Sequence, residues 1–196
     1  LEEHEPDYLR VYDGYPRNIQ RADFARYAIL YFCGGLYLDL DIRAKRPFRP
    51  LLAEKEGYGC ILAEETQLAL EFRERTATFP IRQGLPADQR PECAFRVSNF
   101  FMAAERGNAT MKRILDLCMA RSGHEVREDY DVIFTTGPDV VSTVIDAHLD
   151  DDVYVLPKPE FDRYFKHLGD GDWKNRPARF PVSLFRRRAR DPASTR

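Results

Sequence analysis

An α/β fold is predicted by three features met in order along the 196 residues. Phe24, Ala25, Ala28, Ile29 and Phe32 recur at helical spacing, which predicts a helix from about Gln20 to Phe32. Gly34-Gly35 stops it, because glycine adopts the left-handed conformation that ends a helix. Leu36-Tyr37-Leu38-Asp39-Leu40-Asp41-Ile42 then alternates strictly, the pattern of a strand. Helix, glycine turn and strand in that order predict helices layered on a sheet.

The later elements follow the same signals. Tyr58 to Ala63 reads as a short buried strand, and Phe95 to Ala104 as a longer one. Thr76 to Pro91, with Pro80, Gly84, Pro86 and Pro91, reads as a long surface loop. Asn108 to Ala120 is a predicted helix capped by Asn108, with Met111, Ile114, Leu115 and Cys118 on its apolar side. Asn108-Ala109-Thr110 also fits a glycosylation acceptor, but the cap is the better reading. Gly137-Pro138 opens another helix to about His148, with Pro138 at its first position. Asp152 to Leu156 reads as a last strand, and Pro157 to Trp173 as irregular.

Composition bounds the function. Hydrophobic residues at 43% can bury a core, which argues against overall disorder, and the length favours one domain. Lys and Arg (30) nearly balance Asp and Glu (32), so a uniformly basic nucleic-acid binder is excluded. The longest apolar and glycine run, Tyr27 to Leu38, falls short of the ~20 residues of a membrane helix. The acidic start lacks the pattern of a signal peptide. Cys33, Cys60, Cys93 and Cys118 form no metal-type spacing and read as buried free thiols. Eight basic residues against Asp191 give 174–196 a local excess of positive charge, read as a solvated, mobile tail.

The alternating strand carries the chemistry. One face would hold Leu36, Leu38, Leu40 and Ile42, and the other Tyr37, Asp39 and Asp41. Two neighbouring carboxylates at the end of an apolar strand repel each other, and burying either unpaired costs several kcal/mol. A hard divalent cation, Mg²⁺ or Mn²⁺, resolves the conflict and leaves positions open for phosphate oxygens. Exposure, or pairing with Arg43 and Lys45, would resolve it equally well for an isolated D-x-D. The preceding helix brings Arg21, Asp23 and Arg26 towards the same end; Asp23 and Arg26, three apart, share a face and read otherwise as a surface ion pair.

Arg21-Ala22-Asp23-Phe24-Ala25-Arg26-Tyr27, Gly34-Gly35-Leu36-Tyr37 and Asp39-Leu40-Asp41 together resemble the glycosyltransferases with a D-x-D sugar-binding region. These are the yeast-type Golgi mannosyltransferases and inositol-phosphoceramide mannosyltransferases of glycosyltransferase family 32, and more distantly the large clostridial toxins. The resemblance is strong over 18–50 and traceable to Trp173. It implies a GT-A-like nucleotide-diphospho-sugar transferase fold, a mixed central sheet flanked by helices. Its members open with a strand and a Trp-bearing turn; the short stretch before Gln20 implies that this first strand is lacking here. The domain reading is a GT-A-like catalytic domain over 1–173, incomplete at its N-terminus, and a basic tail over 174–196.

The resemblance assigns roles by position. Asp39 would hold the sugar and ribose side of the donor, and Asp41 would ligate Mn²⁺ or Mg²⁺. Asp23 and Arg26 match positions that contact the donor sugar and its phosphate, and Tyr37 matches an aromatic near the nucleotide. Asn99, in Val97-Ser98-Asn99-Phe100, matches an Asn beside the sugar; by itself it reads as a hydrogen-bonded strand residue. Thr136-Gly137-Pro138 matches a T-G-P, equally a helix start. His167-Leu168-Gly169-Asp170-Gly171-Asp172-Trp173 resembles the family's H-x-x-x-G-S-W, with His167 a metal-ligand candidate, Trp173 part of a flap, and Asp172 where Ser is usual. By itself His167 reads as a packing residue.

The implied reaction moves a hexose from a GDP- or UDP-sugar to a hydroxyl of a glycan or glycolipid, with metal on Asp41, and Asp39 helping, and Arg26 offsetting leaving-group charge. The resemblance implies retention of configuration and a Golgi setting, with membrane contact only through the tail or segments outside this chain. No nucleophile is assigned; Glu64 and Glu65 are candidates for the site wall. Two rivals stand. A haloacid-dehalogenase-like phosphatase also uses D-x-D, with Lys158 and Asp150-Asp151-Asp152 as partners, but has Thr or Val where Arg43 stands. The other is a catalytically inactive sugar-nucleotide-binding module.

Overall fold

The structure, a computed structural model, describes residues 6–67 and 95–169. The chain begins with α1 (Pro6–Gly14), to which no sequence signal pointed, and α2 (Asn18–Cys33). Phe24, Tyr27, Ala28 and Leu30 of α2 are buried, and so are Gln20, Asp23 and Arg26. A polar stripe three residues apart is thus sequestered on a helix whose apolar residues are buried beside it. The helix ends as predicted. The Gly34 N–H donates to Leu30 O at 2.9 Å, and Gly34 and Gly35 take φ of 70° and 113°. A Cβ on Gly34 would sit 2.8 Å from Arg106 N.

The predicted seven-residue strand is shorter and is followed by a turn. β1 (Gly35–Leu38) pairs antiparallel with β4 (Phe95–Ala104), and the register ends at Leu38↔Phe101. Asp39 N still donates to Phe100 O at 2.9 Å, and Ile42 N then donates back to Asp39 O at 3.0 Å. Asp39-Leu40-Asp41-Ile42 is therefore a β-turn. Leu40, expected on the buried face, is fully exposed at its tip (105%). The chain resumes as β2 (Ile42–Ala44) in a separate ribbon with β6 (Phe165–His167).

The turn coincides with a bulge in β4. While β3 (Cys60–Gln67) advances from Leu62 to Glu64, β4 advances from Met102 to Val97. The extra residues break strict alternation, so the consecutive Phe100 and Phe101 both join one core cluster and Asn99 faces α2. Bulges re-aim side chains in this way and are common beside active sites. The main sheet runs β1-β4-β3-β5, with β5 (Val153–Leu156) parallel to β3 and the other pairs antiparallel. It is the mixed sheet flanked by helices that the sequence predicts.

One core cluster joins the sheet to α2, α4 (Ala109–Ala120) and α6 (Pro138–Ala147), through Phe24, Leu62, Met102, Ile114 and Val140 among others. The Asn108 cap is present: its Oδ1 accepts from Thr110 N and Met111 N. A second cluster, with Phe101, Leu156, Phe161 and Phe165, packs α3 (Arg49–Glu54), α7 (Lys158–Tyr164) and the β2·β6 ribbon on the sheet. Residues 157–167, read as irregular, are ordered as α7 and β6. Lys158 N donates to Glu64 Oε2 at 3.0 Å, so this helix start is capped by a residue 94 positions away. The short α5 (Asp129–Thr135) and α3 were also unmarked by sequence. Cys60 and Cys118 are buried free thiols as expected, whereas Cys33 is exposed at the end of α2. The 76–91 loop, Cys93, Trp173 and the basic tail lie outside the described residues. Among the described residues no helix is long and apolar enough to cross a membrane.

Gly34→Ala should cost about 1–3 kcal/mol in urea unfolding, from the positive φ and the close approach to Arg106 N. Gly14→Ala, with open space around it and an ordinary φ, should change stability by less than about 1 kcal/mol.

Candidate active site

Arg26 is the hub. Its side chain is 5% exposed, and α2 places it one turn from Asp23. Nη2 lies 2.9 Å from Asp23 Oδ1, while Nη1 lies 3.2 Å from Asp39 Oδ1 and donates to Asn99 O at 2.7 Å. The guanidinium sits 4.8 Å from the centre of the Tyr37 ring, whose hydroxyl donates to Asp39 Oδ1 at 2.6 Å. Three elements (α2, the end of β1 and the β4 bulge) are thus joined through one cation. The surface-pair reading of Asp23 and Arg26 does not hold, since both are buried.

Asp23 is satisfied on both oxygens. Asn99 Nδ2 donates to Oδ1 at 3.1 Å, and the Thr136 hydroxyl donates to Oδ2 at 3.0 Å. Asn99 Nδ2 also reaches Tyr27 Oη at 3.1 Å, and that hydroxyl donates to Thr136 O at 2.8 Å. Burial pushes the Asp23 carboxyl up to about 6, against the downward pull of Arg26 and Thr136. Burial pulls Arg26 down, but Asp23 and Asp39 outweigh it and hold the guanidinium firmly charged. Burial also raises the Tyr27 hydroxyl well above its ordinary value, so it remains a neutral donor.

Asp23, Arg26, Asp39, Asn99 and Gly137 line a cavity of ≈ 90 Å³. A complete small-molecule pocket measures ~300–1,000 Å³, so this one seats only part of a ligand. Gly137 is required there: a Cβ would lie 2.7 Å from Ile133 Cα. Thr136-Gly137-Pro138 is a helix start, with Pro138 in the first turn of α6, and its Gly137 and Pro138 also form a wall of this cavity.

The two D-x-D carboxylates do not lie side by side on one strand face. The turn separates them. Asp39 faces Arg26 and Tyr37, while Asp41 Oδ2 lies 3.2 Å from His167 Nε2. The ribbon register, Ile42↔His167, brings His167 there, and its ring packs 4.4 Å from that of Phe100. Asp41 Oδ1 is buried with no hydrogen-bond partner. Among the described residues no group of three or more His, Cys, Asp or Glu forms a ready-made metal cage. Asp41 and His167 still fit a hard cation that takes one or two protein donors and fills its other positions from phosphate and water. Asp39 Oδ1, in contrast, is already engaged by Arg26 and Tyr37.

The remaining candidates separate. Arg21 turns away, donating to Asn18 Oδ1 at 3.2 Å and Asp13 O at 3.4 Å. Glu64 caps α7. Glu65 is raised by burial and faces the charges of Arg96, Asp139 and His167. Arg96 lies 3.1 Å from Asp139, which accepts from Tyr130 Oη at 2.6 Å, a second buried ion pair that sequence reasoning missed. Tyr27, which stands in the Arg21–Tyr27 motif but has no role assigned from sequence, belongs to the Asp23 network too. Its place beside Arg26 and four residues after Asp23 was the available signal.

Residues 1–58 match the family described as "Glycosyltransferase sugar-binding region containing DXD motif". That N-terminal segment contains Asp23, Arg26, Asp39 and Asp41. Inositol phosphoceramide mannosyltransferase 3 of Schizosaccharomyces pombe is 57% identical over 47 residues, covering 24% of this chain and 13% of the relative. The initiation-specific alpha-1,6-mannosyltransferase of Candida albicans is 25% identical over 188 residues, covering 86% of this chain and 44% of the relative. Among solved structures, the PaToxG glycosyltransferase aligns with a TM-score of 0.44 at 21% identity, covering 73% of this chain and 40% of that one. The matched part of the chain spans less than half the length of either curated relative.

Two measurements check the electrostatics. Arg26→Leu strands two carboxylates and should cost about 3–5 kcal/mol in unfolding stability. Arg17→Leu, which removes the half-exposed pair with Asp129, should cost under about 1 kcal/mol. The Asp23 carboxyl is raised in the folded state, so its contribution to stability is fully present below about pH 4 and is lost as the pH rises through about 6. Asp23→Asn should remove that downward slope from stability measured between those pH values.

Proposed function

We propose that this chain forms the donor side of a metal-dependent glycosyltransferase active centre with a GT-A-like fold. It would move a hexose from a GDP- or UDP-sugar to a hydroxyl of a glycan or glycolipid. The observation that carries the reading is the division of labour in the D-x-D turn. One carboxylate is fixed against a buried arginine at a cavity, and the other keeps a buried oxygen free beside His167. The names of the relatives favour mannose as the hexose. A Golgi setting and retention of configuration follow the same resemblance.

Each residue then has a task. Arg26 holds Asp23 and Asp39 in place at the cavity, where their carboxylates would meet the donor sugar. Asn99 and Thr136 hold Asp23 against rotation, and Tyr37 does the same for Asp39. Pre-set acceptors of this kind orient a ligand without reorganising when it binds. Asp41 and His167 would hold the divalent cation, Mn²⁺ or Mg²⁺. When bound, that ion neutralises charge on the departing nucleoside diphosphate as a Lewis acid. Trp173 belongs to the same reading as a flap residue.

The phosphatase alternative fits less well. It needs the first Asp free as nucleophile, and Asp39 is paired with Arg26. Its lysine, Lys158, pairs with Asp162 on the surface of α7. The inactive binding module differs from the main reading only in turnover.

With Mn²⁺ present, GDP or UDP should raise the melting temperature, by the equivalent of about 2.7 kcal/mol at a hundredfold excess over Kd. Asp41→Ala should abolish the metal-dependent part of that shift. Absence of any shift with either nucleotide overturns the proposal. A shift without turnover, over a panel of sugar nucleotides and acceptors, selects the binding module.

A further inference from the structure

We propose that the outer face of the β2·β6 ribbon and the tip of the D-x-D turn form a docking surface for an anionic lipid bilayer. The ladder register sets Arg43 directly opposite Lys166. Residues so placed share one face of the ribbon, and like charges there repel. Both side chains are exposed, and neither has an ion-pair or hydrogen-bond partner among the described residues. Ile42 and Phe165, on the other face, pack into the second core cluster, so the cations point outward. Like charges set opposite each other in this way do not stabilise the ribbon.

The positive charge is local. Residues 41–49 and 162–168 contain six Lys or Arg against Asp41 and Asp162, in a chain whose formal net charge is −2. Asp162 already pairs with Lys158, and Asp41 faces His167. Clusters of this size are attracted to anionic lipid headgroups.

A second, independent observation separates a bilayer from a free anion. Leu40 is fully exposed and Leu168 is 46% exposed. Leu168 N donates to Asp41 O at 3.0 Å, which joins the two leucines to one end of the ribbon. A soluble anion would satisfy the cations and leave the leucines in water. A bilayer surface takes both, phosphates meeting the cations and leucines entering the acyl boundary. Docking in this pose brings the D-x-D turn to the lipid surface, and the inference does not depend on the reaction proposed above.

The test is flotation of the full chain with vesicles of phosphatidylcholine alone or mixed with phosphatidylserine. Binding should require the anionic lipid. Arg43→Ser and Lys166→Ser should each lower the partition coefficient about five-fold, and together about thirty-fold. Neither should lower the melting temperature, because each relieves a repulsion. Leu168→Ser should weaken binding to the mixed vesicles even in high salt. A separate variant with serine at Arg186, Arg187, Arg188 and Arg190 measures the contribution of the tail. The proposal is overturned if neutral and mixed vesicles bind equally, or if the tail variant abolishes binding while the ribbon variants leave it unchanged. Retention on immobilised heparin that depends on Arg43 and Lys166, with no vesicle binding, also overturns it and assigns the face to a soluble polyanion.

Discussion

One buried guanidinium holds the candidate site together. Arg26 is nearly withdrawn from water, a state tolerable only because Asp23, Asp39 and the carbonyl of Asn99 surround it. The partners come from three separate elements, so the ion network sets the distance between α2, the end of β1 and the β4 bulge. Replacing it with apolar side chains would keep a core but lose the oriented carboxylates.

The backbone around this network is shaped to serve it. The Gly34-Gly35 corner turns the chain from α2 into β1 within two residues, at a spot where Arg106 N leaves no room for a Cβ. The β4 bulge rotates Asn99 towards Asp23 and places Phe100 and Phe101 together on the other face. Gly137 lets α5 and α6 meet closely enough for Thr136 to reach Asp23. Each is a local departure from regular geometry, and each borders the same ≈ 90 Å³ cavity or its supporting residues.

The turn at Asp39-Leu40-Asp41-Ile42 has a two-sided character. Its carboxylates face inward to different partners, Arg26 and His167, while Leu40 stands in solvent. The β2·β6 ribbon behind it exposes cations on one face and packs aromatic and aliphatic groups on the other. The D-x-D carboxylates and the exposed cations are thus carried by a single hairpin-like feature.

Linear pattern was enough for the α/β class, the span of α2, the whole of β4, the Asn108 cap and the Pro138 helix start, because each rests on neighbours within one or two turns of chain. The resemblance singled out Asp23, Arg26, Asp39, Asp41, Asn99 and His167, and folding sets the first three and Asn99 in one network and Asp41 beside His167. Alternation misled at 36–42, since it cannot register that β4 bulges and ends the ladder at Leu38. The α7 helix was invisible because its cap, Glu64, lies on another strand. Tyr27 and Thr136 join the Asp23 network only because folding closes gaps of more than seventy positions to Asn99 and Asp23. Periodicity records which face of an element avoids water. Which buried polar groups satisfy one another is decided by the packing of distant segments, where each donor must find its acceptor.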